Sequence, residues 1–597
     1  MTRLQVAYLF ISCSCLLHSS HGQEATTNIP NDNDARKDTK FYEFKQSEEE
    51  DNHFNFKAVN PSQLDSEFDF IIIGAGSAGG VIANRLSEIS EWKILLLEVG
   101  KQPPSFFVDI PMLAPALQFT DLNWGFLNEK QDNIGLGLVD QRMAYPRGKA
   151  LGGSSVINFM LSVRGNKEDY NEWERLGNPG WSYNDTLKYF LRSEDAMLAI
   201  SDEEYHNQGG YLKVQDVPYR TKSADVWVKA SEQAGHKYVD YNGKEQLGVS
   251  YTQGTIGKGR RWSVEKAYLR PAKDRPNLTI LTEASVTKIL INSKRKEACG
   301  VRYTKGGRNY TAKARKEVIV TAGAFNSPQL LMLSGIGPKE HLEEFNIPVI
   351  QDLPVGQVLY DHFAYLGLVF TVNQSITFST LQLLSPITLL DYFFGKGPLT
   401  SIEGAEALTY VKLTKTNVSY PDTELLYLGA GFQLDLGTVF RKAFRITDEV
   451  YNKLWAPLVD PEGTDMKVYI AIIREVQRIV SMPEMKKYDA QMVSTPLPGC
   501  DEHIFDSDEY WTCAIRTIGA SIYHQTSTCK MGPKGDPKAV VDNRLRVYGI
   551  KKLRVADTSI FPSPISAHIN VPTIMIGEKA ADMIKEDWEQ PLNQTSS

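Results

Sequence analysis

The most regular pattern of apolar and polar positions begins at residue 68. Residues 68–73 form a nearly continuous apolar run, which is typical of a strand buried on both faces in a parallel sheet. A glycine-rich stretch, 74–79, follows directly, and 80–87 then has the spacing of a helix. A second apolar run, 92–97, ends at Glu98. This order predicts a strand, a tight turn, a helix and a second parallel strand.

The stretch 74–79, GAGSAG, has the glycine spacing that is typical of dinucleotide binding. Glycines allow a tight turn and a close approach of the backbone to a pyrophosphate, and the helix that follows offers free amides and a positive dipole to the phosphates. Glu98, at the end of the second strand, is placed to accept hydrogen bonds from an adenosine ribose. The same fingerprint serves NAD and FAD, so the loop alone does not choose between them.

The first 22 residues follow a different pattern, with Arg3 before a short apolar core and small residues near 20–22. The core is shorter than the roughly 20 residues that a membrane span needs, so residues 1–22 are predicted to be a cleaved secretory signal peptide. Residues 23–67 are polar, acidic and poor in aliphatic side chains, which predicts a flexible leader. We expect a secreted, extracellular protein without a membrane anchor.

Composition places the chain among ordinary globular proteins, with 42% hydrophobic and 23% charged residues in a length of 597. That length suits two interleaved domains that share a large core. Most of the formal charge of −7 falls in the leader, so the rest of the chain is almost neutral. Nothing in this distribution favours nucleic acid or an anionic membrane as a partner, and the sequence sets no oligomeric state.

Secretion changes how the cysteines and asparagines are interpreted. Cys299, Cys500, Cys513 and Cys529 remain after removal of the signal peptide. Cys500 and Cys513 bracket a short polar loop and form either a disulfide bond or two free thiols, because spacing alone does not decide. Sequons for N-glycosylation predict glycans on some surface loops. The sequons begin at Asn184, Asn277, Asn309, Asn373, Asn417 and Asn593.

Two long motifs carry a resemblance to a known family. Residues 148–158, GKALGGSSVIN, and residues 323–337, GAFNSPQLLMLSGIG, match the two signatures of the glucose-methanol-choline (GMC) flavin oxidoreductases, and similar sequence extends from 68 to 584. The resemblance implies FAD as the cofactor. It also implies an α/β FAD-binding Rossmann-like domain, mainly 68–360 and 510–590, interleaved with an α+β substrate domain built on an antiparallel sheet, mainly 361–509.

The resemblance also implies a set of FAD contacts. Asn158 is expected beside the flavin ring, where some members have a histidine bonded covalently to the flavin. Because an asparagine cannot form that bond, FAD is expected to bind noncovalently. The expected FAD-binding residues are Gly74, Gly76, Ser77, Ala78, Gly79, Glu98, Gly152, Gly153, Ser154, Ser155, Asn158, Val286, Asp557, Asn570, Pro572 and Thr573.

Two histidines near the C-terminus are the candidates for the chemistry. Oxidation of an alcohol by a flavin requires removal of the hydroxyl proton as hydride leaves the carbon, and a neutral imidazole suits that step because its pKa lies near neutrality. By resemblance, His524 is the catalytic base and His568 the second hydrogen-bond partner of the substrate oxygen, and the two roles are interchangeable at this level. The sequence has no spacing typical of a metal site and no G-x-S-x-G elbow of a serine hydrolase.

The chain departs from the family pattern in two places. Ser162 stands where the family usually has an aromatic residue, which either widens the space near the flavin or only alters packing. Between Leu458 and Val459, relatives carry a few dozen further residues of the sheet that forms one wall of the substrate domain. Their loss predicts unpaired strand edges and exposed apolar surface. A catalytically impaired FAD-fold variant is therefore one alternative, unless a segment such as 432–450 fills the gap.

The signal peptide, the acidic leader and the paired cysteines resemble the secreted insect members of the family. These include salicyl alcohol oxidases, glucose dehydrogenases and ecdysone oxidases. The salicyl alcohol oxidases are the preferred likeness, which predicts oxidation of a small aryl alcohol, such as salicyl alcohol, to an aldehyde, with oxygen as acceptor and hydrogen peroxide as product. A glucose or sterol dehydrogenase that uses a quinone acceptor is the alternative, and a lyase without net redox chemistry is a minor one.

Overall fold

The computed structural model describes only part of the N-terminal region and leaves gaps around the predicted junction. The predicted signal peptide, almost all of the leader and the junction at 458–459 lie outside the described residues. Those described are 56, 60–63, 66–372, 374, 376–378, 380–383, 385–413, 420–429, 437–455 and 467–589.

A seven-stranded sheet forms the centre of the described chain. The two predicted strands are confirmed as Glu67–Ile73 and Ile94–Leu97, which pair in parallel. Residues 68–73 are all buried, as expected for an apolar run with side chains on both faces. The remaining strands are Leu278–Leu281, Arg308–Val320 and Leu553–Val555, parallel to their neighbours in the core, and Ser285–Asn292 and Glu297–Lys305, which extend Arg308–Val320 as an antiparallel ribbon.

The predicted helix after the glycine loop is confirmed as Gly79–Leu86. It packs against the C-terminal helix Asn570–Glu589, and a Cβ atom at Gly577 would lie 2.9 Å from the carbonyl oxygen of Ala78. This close approach holds the end of the chain beside its first helix. In the described ranges the helices of eight or more residues are Gly79–Leu86, Lys167–Arg175, Tyr183–Ser193, Lys222–Gln233, Gly323–Leu333, Pro386–Phe393, Lys467–Val480, Asp508–Ile518 and Asn570–Glu589.

A second, antiparallel sheet confirms the predicted fold class. Strand Ala405–Val411 lies at its centre, between Gly248–Tyr251 and Thr423–Leu428. Every residue of Ala405–Val411 is buried, so helices or loops cover both of its faces. Gly248–Tyr251 lies within the range 68–360 that was assigned mainly to FAD binding, so the two predicted domains share this sheet. Their exact bounds stay a prediction.

The outer strand of this sheet, Thr423–Leu428, has the open edge that the predicted loss of neighbouring strands would produce. Among the described residues it pairs on one side only, with Ala405–Val411. Leu426 and Leu428 on this strand are exposed. An open edge with exposed apolar side chains is what the loss of neighbouring strands would leave. Because the junction itself is not described, the missing segment stays a prediction.

The disulfide that the sequence left open forms between Cys500 and Cys513, whose Cα atoms are 5.7 Å apart. Cys299 and Cys529 are free thiols. The bond ties Cys513, in the middle of the helix Asp508–Ile518, to the loop before that helix. Within the described part of the chain, no helix is long and apolar enough to cross a bilayer.

Three of the six sequons lie in described residues. Asn184 and Asn309 are exposed, so glycans there would extend into solvent. Asn277 differs, because its side-chain nitrogen donates hydrogen bonds to three backbone carbonyl groups within residues 87–92, at 2.9 to 3.1 Å. That amide closes the loop after the first helix and has no free position for a glycan. The remaining sequons, Asn373, Asn417 and Asn593, lie outside the described residues.

Candidate active site

A large cavity of about 2020 Å³ lies at the carboxyl ends of the central strands. Ile73, Leu97 and Thr321, which end or follow three of the parallel strands, line it. Open α/β sheets bind ligands at this edge. Pockets for single small ligands span roughly 300–1,000 Å³. This cavity therefore has room for a large cofactor together with a substrate.

Two glycine loops form the floor of the cavity. Gly74 has a φ of +101°, and a Cβ atom there would lie 2.5 Å from the carbonyl oxygen of Thr321. Gly153 has a φ of +55°, and its Cβ would lie 2.6 Å from the Cα of Gly76 in the other loop. Side chains at these positions would push the two loops apart. The glycines therefore allow the close backbone packing that a pyrophosphate site requires.

The C-terminal helix brings a second helix N-terminus to the same cavity. Its first residue, Asn570, accepts a hydrogen bond at Oδ1 from the hydroxyl of Ser77, at 2.7 Å. Helices Gly79–Leu86 and Asn570–Glu589 both begin at the cavity, where their unpaired amides and positive dipole ends favour an anion. This arrangement fits the diphosphate of FAD.

Two buried acids hold the loops of this floor in place. Glu98 accepts hydrogen bonds from the backbone N–H groups of Ala75 and Gly100, at 2.8 and 2.9 Å, and burial raises its pKa to about 7 despite these bonds. Asp557 accepts from the N–H of Gly323 and the hydroxyl of Ser327. Both acids line the cavity, so they fix the loops and also face the bound group. Contact between Glu98 and a ribose stays a prediction.

Most of the expected FAD-binding residues line the cavity, and four do not. Two of these four support the loop from the side away from the cavity, because the hydroxyl of Ser155 donates a hydrogen bond to the carbonyl of Gly152. The residues that line the cavity are Gly74, Gly76, Ser77, Ala78, Glu98, Gly153, Ser154, Asn158, Val286, Asp557, Asn570 and Thr573. Those that do not are Gly79, Gly152, Ser155 and Pro572.

Asn158 lies against the buried guanidinium of Arg261. Nη1 of Arg261 donates to the carbonyl oxygen and to Oδ1 of Asn158, at 2.6 and 2.8 Å. The amide is therefore held in one orientation on the cavity floor. Ser162, the first departure from the family pattern, is buried away from the cavity and donates its N–H to Gln253. Its position supports altered packing rather than a wider space.

The two predicted histidines meet in the cavity together with a third, which the sequence did not single out. The rings of His524 and His568 have centroids 4.7 Å apart and lie nearly perpendicular, at 85°. On the other side, Nδ1 of His524 lies 2.8 Å from Nδ1 of His362, which is a hydrogen bond between the two rings. All three line the cavity.

Strand pairing explains why His362 faces His524. Strand Phe363–Tyr365 runs antiparallel to Gly519–Ser521, and Tyr360 forms a bridge with Thr526. The register shifts between this bridge and the strand pair, since the N–H of Ile522 donates to the carbonyl of His362 and Tyr523 has a φ of +73°, and His362 and His524 lie in the shifted stretch. Two segments far apart in sequence thus deliver one histidine each to the same point.

The surroundings of His524 keep its ring neutral. Burial lowers its pKa well below the usual value, and the neighbouring His568, His362 and Arg147 lower it further. Arg147, which is partly buried, donates to the carbonyl oxygen of Tyr523 at 2.8 Å and to the side-chain oxygen of Gln525. It thereby holds the backbone before the histidine and the side chain that follows it. His524 can therefore accept a proton at neutral pH.

A carboxylate accompanies His568 instead. Nε2 of His568 lies 3.0 Å from Oε1 of Glu424, whose other oxygen accepts from the hydroxyl of Tyr410 at 2.8 Å. Burial raises the pKa of Glu424, but the charge and hydrogen bond of His568 and the bond from Tyr410 outweigh burial and lower it overall. Glu424 is thus ionised and orients His568 through its Nε2–H.

Several residues of this site were missed by the sequence analysis. His362, Arg147 and Glu424 belong to no motif that was used. Asp361 was missed as well, and its Oδ1 accepts the backbone N–H of His524 at 2.9 Å. The adjacent pair Asp361 and His362 was the one available signal, because an acid next to a histidine is a common unit of polar sites. No group of three His, Cys, Asp or Glu side chains suited to a metal occurs among the described residues.

Aromatic side chains cover the cavity near the histidines. Tyr523 stacks on Phe444, with ring centroids 5.7 Å apart and an interplanar angle of 19°, and its centroid lies 6.3 Å from that of Phe159. All three line the cavity. The space beside His524 therefore suits a flat apolar group.

Comparisons with known proteins agree with this geometry. Residues 68–364 and 452–577 each match a family model described as GMC oxidoreductase. The chain is 38% identical over 556 residues to a glucose dehydrogenase (FAD, quinone) of Drosophila pseudoobscura pseudoobscura, with 88% of each chain covered. It is 36% identical over 553 residues to an oxygen-dependent choline dehydrogenase of Sinorhizobium fredii, covering 88% of this chain and 97% of that one. A variant of the formate oxidase of Aspergillus oryzae superposes with a TM-score of 0.74 at 25% identity, covering 88% and 99%.

Proposed function

Because this chain belongs to the GMC oxidoreductase family, we propose that it oxidises an aryl primary alcohol to the aldehyde, with His524 as the base. Membership in the family makes it an FAD-dependent oxidoreductase that acts on CH–OH donors. The observation that carries the proposal is the meeting of His524 and His568 in a cavity whose nearby wall is aromatic. When bound, FAD accepts the hydride that leaves the alcohol carbon.

The hydrogen bonds of His362 support the base role of His524. Burial lowers the pKa of His362 overall, while a hydrogen bond with the backbone of Ile565 acts in the opposite direction, as expected where the ring N–H donates to a carbonyl group. Nδ1 of His362 faces His524, which leaves Nε2–H as the group that donates to Ile565. In the neutral ring Nδ1 then accepts from Nδ1–H of His524. The lone pair of His524 is therefore on Nε2, free to take the hydroxyl proton.

His568 has a different part in this proposal. Its Nε2–H is directed to Glu424, and the ionised carboxylate holds the ring in one orientation. A ring held in this way is placed to hydrogen-bond the substrate oxygen, on which negative charge develops as its proton leaves. One histidine thus removes the proton and the other holds the oxygen. The products are an aldehyde, a proton on His524 and a reduced cofactor.

We further propose that FAD is bound noncovalently and that the protein is secreted. Asn158 supports the first point, because its amide is not a nucleophile and is held by Arg261. The Cys500–Cys513 disulfide supports the second, because such bonds persist in oxidising compartments. Denaturation followed by filtration would release yellow FAD from a noncovalent complex, and N-terminal sequencing of the exported protein would locate the cleavage after residue 22.

A glucose dehydrogenase with a quinone acceptor is the second candidate. The identity of 38% to a glucose dehydrogenase (FAD, quinone) over 88% of the chain favours it. A sugar presents several hydroxyl groups, so it requires more polar partners than the aromatic wall beside Tyr523 offers. The aryl alcohol is therefore preferred, with oxygen as the acceptor, and the quinone is tested in parallel.

Anaerobic flavin bleaching tests the proposal directly. The purified holoprotein is mixed with benzyl alcohol, salicyl alcohol or D-glucose, and loss of flavin absorbance is followed. We expect the aryl alcohols to bleach the flavin faster than glucose, and mixing the reduced protein with oxygen or a benzoquinone then identifies the acceptor. Bleaching by glucose alone would favour the second candidate. No bleaching by any alcohol, with FAD bound, would support the impaired variant predicted from the shortened segment at 458–459.

A further inference from the structure

Glu403 combines an unfavourable backbone with an unfavourable side-chain environment. Its φ is +60°, in the left-handed region that favours glycine, just before strand Ala405–Val411. The side chain is only 6% exposed, and its Oε1 atom is enclosed without a hydrogen-bond partner among the described residues. Each feature alone destabilises a fold, and such residues cluster at binding and catalytic sites.

The position of Glu403 connects it to the site of chemistry. It lines the large cavity together with Tyr523, the residue before His524. It also interacts with the guanidinium of Arg261, whose Nη1 holds Asn158 on the cavity floor. Glu403 therefore lies near the aromatic wall as well as near the floor where the flavin is expected.

The chemistry of the group that Glu403 can bind follows from its protonation. Burial raises the pKa of Glu403 well above its usual range, and the opposing effect of Arg261 is smaller. A neutral carboxyl group carries one O–H donor and retains acceptor capacity. The nearby positive charge of Arg261 disfavours a cationic substrate group at this point. A hydroxyl group, which also donates and accepts, is the matching partner.

We propose that Glu403 is a specificity-determining residue that hydrogen-bonds a second hydroxyl group of the alcohol substrate, away from the carbon that loses hydride. The proposal rests on the alcohol oxidation proposed above and narrows its substrate class to hydroxylated alcohols. A ring hydroxyl of a hydroxybenzyl alcohol and a hydroxyl of a sugar both have this chemistry. A bound hydroxyl group then supplies a hydrogen-bond partner to the carboxyl group, whose Oε1 has none among the described residues.

A set of isomeric substrates tests this proposal. The kcat/KM values for benzyl alcohol, for 2-, 3- and 4-hydroxybenzyl alcohol and for D-glucose are measured on the holoenzyme. We expect at least one hydroxylated substrate to exceed benzyl alcohol by about 10-fold or more, as for sites built to pair a substrate hydroxyl. In Glu403→Gly this ratio falls by about the same factor. In Glu403→Gln, whose amide also donates and accepts, part of the preference returns.

Thermal stability separates a binding role from a structural one. Glycine adopts the backbone of residue 403 without strain and removes the unpaired oxygen, so Glu403→Gly is expected to raise Tm. A structural role for Glu403 would lower Tm instead. Glu406→Gln is the matched control, because Glu406 is buried three residues later but both of its oxygens accept hydrogen bonds from Thr221, at 2.5 Å. That variant should lower Tm and leave the substrate ratio unchanged.

The outcomes distinguish this inference from the proposed function. Flavin reduction by benzyl alcohol with no preference for any hydroxylated substrate overturns the role of Glu403 alone. An unchanged ratio or a lower Tm in Glu403→Gly does the same. Absence of flavin reduction by every alcohol overturns the proposed oxidation, and the inference with it.

Discussion

The side chain of His206 is buried and His524 is partly buried, and their environments shift the two pKa values in opposite directions. His206 is held between Glu194 and Asp240, at 2.9 and 2.8 Å from its two ring nitrogens, and lies outside the large cavity. Burial lowers its pKa, but these hydrogen bonds outweigh burial and raise it to about 9. Burial lowers the pKa of His524 well below its usual value, and the basic groups of His568, His362 and Arg147 lower it further.

The difference lies in where the carboxylates point. Asp361 lies close to His524, but its Oδ1 accepts the backbone N–H of that residue and not a ring proton. The carboxylate of Glu424 pairs with His568 instead. Carboxylates that pair with a histidine ring, as around His206, favour its cation, whereas a ring without such a partner stays a neutral base.

The largest effect should follow from removal of the neutral base. We expect His524→Ala to lower the rate of flavin reduction by alcohol about 100- to 10,000-fold, the range that general-base catalysis contributes, while FAD stays bound. Stopped-flow bleaching and the flavin-to-protein absorbance ratio measure the two properties. His341→Ala, which removes an exposed histidine, is the control. Rapid anaerobic reduction in His524→Ala would contradict the base assignment.

The next largest effect should come from Glu424→Gln. The neutral amide is a weaker acceptor than the carboxylate for the Nε2–H of His568 and holds the ring less firmly, so we expect kcat to fall about 10- to 100-fold, with a smaller change in KM because the loss is felt mainly as charge develops. Steady-state kinetics with the best substrate measures the division between the two constants. A rise in KM with an unchanged kcat would mean that Glu424 acts only in binding.

A smaller effect, with a distinct pH signature, should follow from His362→Ala. His362 fixes the tautomer of His524 and contributes to its lowered pKa. We expect wild-type kcat/KM to stay level down to a pH below 6.5, because the base remains neutral there. In the variant the rate should fall by about 10-fold, and the acid limb should move to higher pH because a lowering influence is removed. An acid limb at the same pH in the variant as in the wild type would show that His362 does not lower the pKa of His524.

The smallest effect on activity, and a purely structural one, should come from His206→Gln. Because folding raises the pKa of His206 from 6.5 to about 9, its stabilising effect is complete below pH 6.5 and is lost as pH rises through 9. At 1.36 kcal/mol per pKa unit, it amounts to about 3 kcal/mol at most. The free energy of unfolding of the wild type, measured by denaturant, should fall as pH rises across this window. That of the variant should change less with pH. Equal slopes would contradict a charged His206.

The glycine loop expected to bind FAD and the elements around it could be predicted because their sequence signals are local. The strand, glycine loop, helix and Glu98 follow one another within about thirty residues, and each has a backbone reason visible in the sequence. The sequence did not show which contacts each of these groups makes. Both carboxylate oxygens of Glu98 bind backbone amides, and no periodicity could reveal that Gly153 packs on Gly76.

The surroundings of His524 and His568 could be predicted only in part because their contacts are not local in sequence. His524 and His568 were reached through the family resemblance, not through their own surroundings. Their partners lie 162 and 144 residues away in sequence, at His362 and Glu424, so no local pattern links them. Glu403 and Glu424 also fall between the two stretches that match the family models. The resemblance therefore indicated the two candidate histidines but not the residues that set their orientation and protonation.

The hydrogen bond between Ser77 and Asn570 joins residues 493 positions apart. During synthesis on a ribosome, the glycine loop emerges several hundred residues before the strand Leu553–Val555 and the helix Asn570–Glu589. The cofactor site is complete only after these later segments dock on the helix Gly79–Leu86. Capture of FAD is therefore expected to follow this docking, so retention of the flavin reports that the helix Asn570–Glu589 is in place.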